Sequence, residues 1–121
     1  MGNVEANYML KAEKRLRRKL TVENLWMFII AILSEKPSYA YGVRIMLRRF
    51  FDIKVPSVTV YTVLYRMVRE GLLKTEKING IKVYKPTKQG IEAFTRAKKF
   101  LRDIVEKLEH VKEEQYSTQT N

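Results

Sequence analysis

The run Ser57-Val58-Thr59-Val60-Tyr61-Thr62-Val63-Leu64-Tyr65-Arg66-Met67-Val68-Arg69-Glu70-Gly71 can be read in two ways, and the choice decides the fold. Taken locally, Val58 to Val63 is a strand, because nearly every side chain is β-branched or aromatic. At longer range the pattern is helical. Ser57 follows Pro56 as an N-cap, Val60, Leu64 and Met67 fall on one face, and Gly71 stands where a left-handed residue closes a helix. A glycine there lets Leu72 pack back on Met67, the apolar contact that such a terminus usually carries. We therefore expect a helix from Ser57 to Glu70.

That choice makes the following segment intelligible. Leu72 to Ile78 and Ile81 to Pro86 flank Asn79-Gly80, a pair that favours the two-residue type I′ turn of a hairpin. The turn sets a register of Ile78 with Ile81, Lys77 with Lys82, Glu76 with Val83 and Thr75 with Tyr84. Two lysines then face each other beside the tip, which costs on the order of a few tenths of a kcal/mol unless an anion sits near them.

Upstream, Ala40, Val43, Leu47 and Phe50 recur at helical spacing, with Arg44, Arg48 and Arg49 off the stripe, so an amphipathic helix is expected to end near Phe51. Pro37-Ser38 separates it from an earlier, largely buried helix. There Thr21 is the expected N-cap, Glu23 makes the first turn acidic, and Leu25, Trp26, Phe28, Ile29, Ile32 and Leu33 carry the spacing over about 13 residues. Lys54-Val55 must be extended because Pro56 follows. Downstream, Thr87 caps a last helix in which Phe94, Ala97, Leu101, Ile104, Leu108 and Val111 form a heptad seam, widened by Ile91, Phe100 and Val105. A domain this small can hardly cover a seam of roughly 27 Å, so self-association is expected, with packing on its own domain as the rival. Gln115 to Asn121 is polar, lacks periodicity and is expected to fray.

The 121 residues suit one domain, and 45% hydrophobic content supplies a core. Twenty-four Lys and Arg against 13 Asp and Glu leave a net charge of +11, which points to a polyanionic partner. The excess is clustered: +4 over residues 1–20, +1 over 21–53, +6 over 54–90 and none over 91–121. With no Cys and a single His110, thiolate sites, histidine metal clusters and a Ser-His-Asp triad are excluded, so neither a catalytic nor a metal site is expected, nor a cofactor. The absence of a Gly-rich phosphate loop points the same way, and His110 reads as a surface residue. The longest apolar run, Leu25 to Leu33, is far short of the ~20 residues of a membrane span, and no secretory pattern precedes it; a cytoplasmic protein with no membrane partner is expected.

Two helices joined by a short extended turn and followed by a basic hairpin make a winged helix-turn-helix: a mainly α fold with a small β-hairpin and a long C-terminal dimerisation helix. The expected organisation is a basic arm or helix at 1–20, a DNA-binding domain at 21–90, a dimerisation helix at 91–114 and a flexible tail at 115–121. The stretch from Ile32 to Gly90 resembles the PadR family of winged-helix transcriptional regulators. The similar motifs are Pro37-Ser38-Tyr39-Ala40-Tyr41, Ser57 to Met67 with Arg69-Glu70-Gly71-Leu72-Leu73, and Val83-Tyr84-Lys85-Pro86-Thr87-Lys88-Gln89-Gly90. Val58 and Thr62 depart from the family's glycine and proline, which bears on the preferred DNA sequence and not on the fold. The resemblance implies a homodimer held through the last helix, often with the first, and commonly a repressor. It also implies phosphate contacts from Tyr61 and Tyr41.

With Val60 at the centre of the buried face, Val58, Thr62, Tyr65 and Arg69 fall near the opposite pole, with Arg66 beside them. In a helix-turn-helix the first half of the second helix reaches base edges, so Ser57, Val58, Thr59 and Thr62 join Arg66 in the expected DNA-contacting set. A Thr62 methyl or hydroxyl and a forked Arg66 on guanine are the base contacts available. Lys77 and Lys82, with Lys74 and Lys85 further back, would meet phosphate or the minor groove. The basic residues Lys11 to Lys19 are either a DNA-flank arm or a helical lead-in to the dimer. Trp26, Phe28 and Phe100 either fill the core or border a cavity for an effector, which nothing in the sequence supports. The leading expectation is a sequence-specific regulator on a pseudo-palindromic double-stranded site. A nonspecific architectural protein and a protein-interaction module are the alternatives.

Overall fold

The computed structural model describes residues 8–120, with side chains as far as Val111. The first seven residues of the expected arm, and Asn121 of the expected tail, lie outside the described residues. Helix α1 (Lys11–Leu20) leads through a 3-10 turn (Val22–Asn24) into α2 (Leu25–Glu35); α3 (Ala40–Phe51) and α4 (Ser57–Arg69) follow. The antiparallel strands β1 (Leu73–Ile78) and β2 (Ile81–Pro86) then lead into α5 (Lys88–Thr120).

The ambiguous run is helical. Val60, Leu64 and Met67 are almost completely buried on the face of α4 turned to the core, and that burial outweighs the local strand preference of Val58 to Val63. The end of α4 is set by Gly71, at φ +81°. Its N–H donates to the Val68 carbonyl at 3.1 Å and the Leu72 N–H to the Met67 carbonyl at 2.8 Å, the paired bonds of a Schellman terminus. The start differs from expectation. Pro56, extended at φ −64° and ψ 153°, is the cap; its carbonyl accepts from the N–H groups of Thr59 and Val60, and Ser57 is the first helical residue without a capping bond.

Thr21 is corrected in the same way. Its hydroxyl donates to the Arg17 carbonyl at 2.6 Å, closing α1 in place of opening α2, because a helix end immediately upstream leaves that acceptor unpaired. Asn24 donates from its amide to the Lys19 carbonyl at 2.5 Å, and Glu23 accepts from Arg18 and Lys19, which hold its carboxyl below the usual value. The buried helix consequently begins only at Leu25 and spans 11 residues.

The core is centred on α2, whose Ile29, Ile30 and Leu33 are essentially inaccessible and which packs on α3, α4, α5 and β2. On α3, Ala40, Val43 and Leu47 point inward as expected, but Phe50 is 63% exposed. The helix ends there in a left-handed Asp52, and Phe51 takes the inward role, its ring 5.0 Å edge-on from Phe28. Val55 is buried in the extended linker.

The hairpin has the expected register, from Ile78 opposite Ile81 to Thr75 opposite Tyr84, turning on Asn79 and Gly80 at positive φ. One addition is a bridge from Ser38 to Tyr84, with N–H···O distances of 2.8 and 3.3 Å, which ties the hairpin to the turn before α3. Thr87 caps α5 as expected, accepting the Gly90 N–H at 2.9 Å. The helix runs on through Thr120, past the expected end at 114, since no Gly or Pro after Gly90 interrupts it. Of its seam, Phe94 packs against the core, whereas Ile104, Leu108 and Val111 are exposed. No helix among the described residues is long and apolar enough to cross a membrane.

Gly90 is buried where α5 meets the chain after α4, and a Cβ there would overlap the Leu72 carbonyl oxygen. Gly90→Ala is expected to lower stability by about 1–3 kcal/mol, whereas Ser57→Ala, which removes no cap, should stay within about 0.5 kcal/mol of the parent. Urea midpoints measure both.

Candidate nucleic-acid interface

A helix that buries one stripe leaves the other free, and on α4 the free stripe is the one expected. Val58, Tyr61 and Tyr65 are 72, 56 and 63% exposed, Ser57, Thr62, Arg66 and Arg69 are also exposed, and Thr59 is half-buried. The chemistry along it is specific. The Thr62 hydroxyl donates to the Val58 carbonyl at 2.8 Å, so its proton is spent within the helix and the methyl and oxygen lone pairs remain for a ligand. The Arg69 guanidinium lies 5.8 Å from the Tyr65 ring centroid. Arg66 has no anionic partner among the described residues, which leaves its whole fork available.

Tyr41, at the start of α3, is 54% exposed, and its ring lies 6.4 Å from that of Tyr39, itself 46% exposed. Sequence reasoning passed over Tyr39 as a site residue, although it belongs to the same Pro37 to Tyr41 motif. Two phenols at the mouth of a helix N-terminus offer hydroxyl donors where the helix dipole already favours an anion.

The four wing lysines divide between two faces of the hairpin. Opposite residues share a face and successive residues alternate, so Lys77 and Lys82 lie with Thr75 and Tyr84, while Lys74 and Lys85 lie on the reverse with Glu76 and Val83. Lys77 has no anionic neighbour among the described residues, and the Lys82 ammonium sits 5.5 Å from the Tyr84 ring centroid. Lys85 is paired with Glu76 at 3.2 Å. Its charge is thus partly neutralised, a cross-strand diagonal that the linear sequence did not suggest. Ile78 and Ile81, 49 and 55% exposed, add an apolar pair at the tip that was also missed.

Beside the free face of α4 runs an open cleft of about 800 Å³, with Val58, Thr59, Thr62 and Arg66 on one wall and Glu23, Asn24 and Trp26 on the other. Trp26, Phe28 and Phe100 do not surround a common cavity: Trp26 and Phe28 are partly buried against the core, and Phe100 stands 63% exposed on α5. No group of three or more His, Cys, Asp or Glu able to hold a metal ion occurs among the described residues.

Comparison with known proteins agrees with this geometry. The sequence model of the transcriptional regulator PadR-like family matches residues 29–96. Among curated proteins none matches the chain. Among solved structures the chain is similar to a transcriptional regulator from Clostridium thermocellum, with 17% identity, a TM-score of 0.66 and coverage of 85% of this chain and 98% of that one. A PadR-like transcription factor from Bacteroides fragilis has 21% identity, a TM-score of 0.65 and coverage of 84 and 99%. F93 from STIV, a winged-helix DNA-binding protein, has 19% identity, a TM-score of 0.60 and coverage of 70 and 94%.

If the outer stripe of α4 is spare surface, the two faces of one helix must respond differently to truncation. Arg66→Ala is expected to change unfolding free energy by less than about 0.5 kcal/mol, and Leu64→Ala to cost about 2–5 kcal/mol. Chemical denaturation of both variants checks this.

Proposed function

This chain belongs to the PadR-like family of transcriptional regulators, and from that premise we propose that it is a homodimeric, sequence-specific double-stranded DNA-binding protein that acts in the cytoplasm as a repressor. The observation that carries the reading is the bare outer stripe of α4 beside the Lys77 and Lys82 face of the wing. In a winged helix-turn-helix that stripe enters the major groove. Val58, Thr59 and Thr62 then lie nearest the base edges, with the Thr62 methyl suited to a thymine methyl and the Arg66 fork to guanine O6 and N7. Ser57, Tyr61, Tyr65 and Arg69 flank them, and Tyr41 contacts the backbone phosphates together with Tyr39. Lys77 and Lys82 reach phosphate or minor groove, and the opposed pair gains an anion that offsets its repulsion. Lys74 serves the same backbone from the reverse face, with Lys85 contributing less because Glu76 holds it. No catalysis, metal or cofactor enters this function, and no small-molecule effector is assigned.

Self-association follows from α5. Ile104, Leu108 and Val111 continue the stripe that begins at Phe94, Ala97 and Leu101, and exposed apolar heptad positions are stabilised by a second copy. A two-fold dimer presents two recognition helices to one face of the duplex, which selects a pseudo-palindrome with half-sites roughly 34 Å apart.

Selection of bound fragments from a random DNA pool should enrich such a site; a pool that enriches nothing would favour a nonspecific architectural role. With about five phosphates neutralised per subunit, log K should fall against log salt with a slope near about −9, and a slope near zero would sink the reading. Reversing Lys77 and Lys82 to Glu should remove most of the affinity at unchanged thermal stability. Full regulatory function in that variant would instead mark the fold as a protein-interaction module.

A further inference from the structure

Helix α1 is unusual for a helix at the edge of a small domain, because none of its ten residues is buried. It packs chiefly on the 3-10 turn that follows it, yet its departure is rigidly built. The Thr21 hydroxyl and N–H close its last turn, the Asn24 amide reaches the Lys19 carbonyl, and Glu23 clamps Arg18 and Lys19. A segment merely trailing from the domain would need no such elbow.

The helix is also amphipathic. Ala12, Leu16 and Leu20 form a stripe at i, i+4 and i+8, with Leu16 and Leu20 59 and 40% exposed, while Lys11, Lys14 and Arg15 have no anionic partner among the described residues. A DNA arm would use the cations, but it gives no reason for a leucine stripe.

A surface of complementary character lies on α5. Val105 is one residue beyond the seam position Ile104, hence about 100° around the helix, and a contact that covers the seam leaves it on the flank. There Leu101, Arg102, Val105, Glu106 and Glu109 line a shallow groove. Glu106 and Glu109 have no cationic partner among the described residues, in contrast to Asp103, which Lys99 engages at 2.8 Å and holds below the usual carboxylate range. The α5 flank is thus apolar with an acidic rim, and α1 is apolar with a basic rim.

We infer that, in the homodimer proposed above, α1 of each protomer docks on the α5 flank of the other, with Leu16 and Leu20 against Leu101 and Val105 and the α1 cations beside Glu106 and Glu109. The dimer is then held by two kinds of contact: α5 on α5 through the seam, and an exchanged basic helix on each side. Because the elbow at residues 22–24 shares a cleft with Val58, Thr59 and Thr62, the exchanged helix also ties the dimer contact to the position of α4.

Sedimentation equilibrium on the full chain tests this. Leu16→Glu combined with Leu20→Glu should raise the dimer dissociation constant by at least about tenfold, with an unchanged urea midpoint at high dilution, since neither side chain is buried within the protomer. Lys14→Glu with Arg15→Glu should weaken the dimer, as should Glu106→Lys with Glu109→Lys, and combining all four should restore it. Unchanged dimerisation in the leucine variant, or no restoration in the fourfold variant, overturns the inference while leaving an α5 dimer intact. A parent chain that is monomeric at micromolar concentration overturns the dimer reading as well. Unchanged dimerisation with a DNA salt slope reduced by about one unit for each cation removed would make α1 a DNA arm and would likewise overturn the inference.

Discussion

Three working elements of this protein meet at one short piece of backbone. Gly71 ends α4 in a left-handed turn, the Leu72 N–H returns to the Met67 carbonyl, and the Leu72 carbonyl accepts the Thr87 N–H at 3.1 Å. The Thr87 hydroxyl donates to the Gly71 carbonyl and accepts from Gly90, so the groups that two helix ends would otherwise leave unpaired satisfy one another. Gly90 lets the first turn of α5 press on the Leu72 carbonyl. The base of the wing is enclosed in the same knot, because Leu73 and Pro86 are its first pair. The orientation of the recognition helix, the wing and the long helix is therefore one constraint, and it operates through backbone groups that cannot slide.

Around that knot the charges sort by role. The segment from Lys54 to Gly90 carries +6 and includes the free stripe of α4 and the wing, whereas residues 91–121 are neutral and include the apolar seam. A neutral α5 suits contact between copies, since like charges brought together across a two-fold axis repel. The wing shows finer sorting: Lys85 is balanced by Glu76, and Lys77 is left unbalanced beside Lys82. The clustering of charge thus becomes directional only when the hairpin register assigns each lysine to a face.

Where the sequence was read well, short-range geometry was decisive. Asn79-Gly80 admits few backbone conformations, and it fixed every strand pair through the period-two alternation. Gly71 and the Val60, Leu64, Met67 spacing outweighed a strand-like composition because burial on a helical period is stronger than local preference. The misreadings concern groups with several possible partners. Ser57 and Thr21 are good capping residues by type, but an adjacent proline carbonyl took over one role and the end of α1 claimed the other hydroxyl. Phe50 and Phe51 differ by one position, and only the place where α3 stops selects the one that turns inward.

The sequence by itself determined the order of elements, the hairpin register, the buried and free stripes of α4 and the location of the basic excess, because each follows from periodicity or from a residue with restricted backbone freedom. Only the tertiary structure decided that the wing lysines split between two faces, that Tyr39 stands beside Tyr41, that Trp26 faces α4 across a cleft and that α1 stands apart from its own core. Those facts depend on which distant segments are brought together. Side-chain polarity alone does not choose among the many partners that a compact chain makes available.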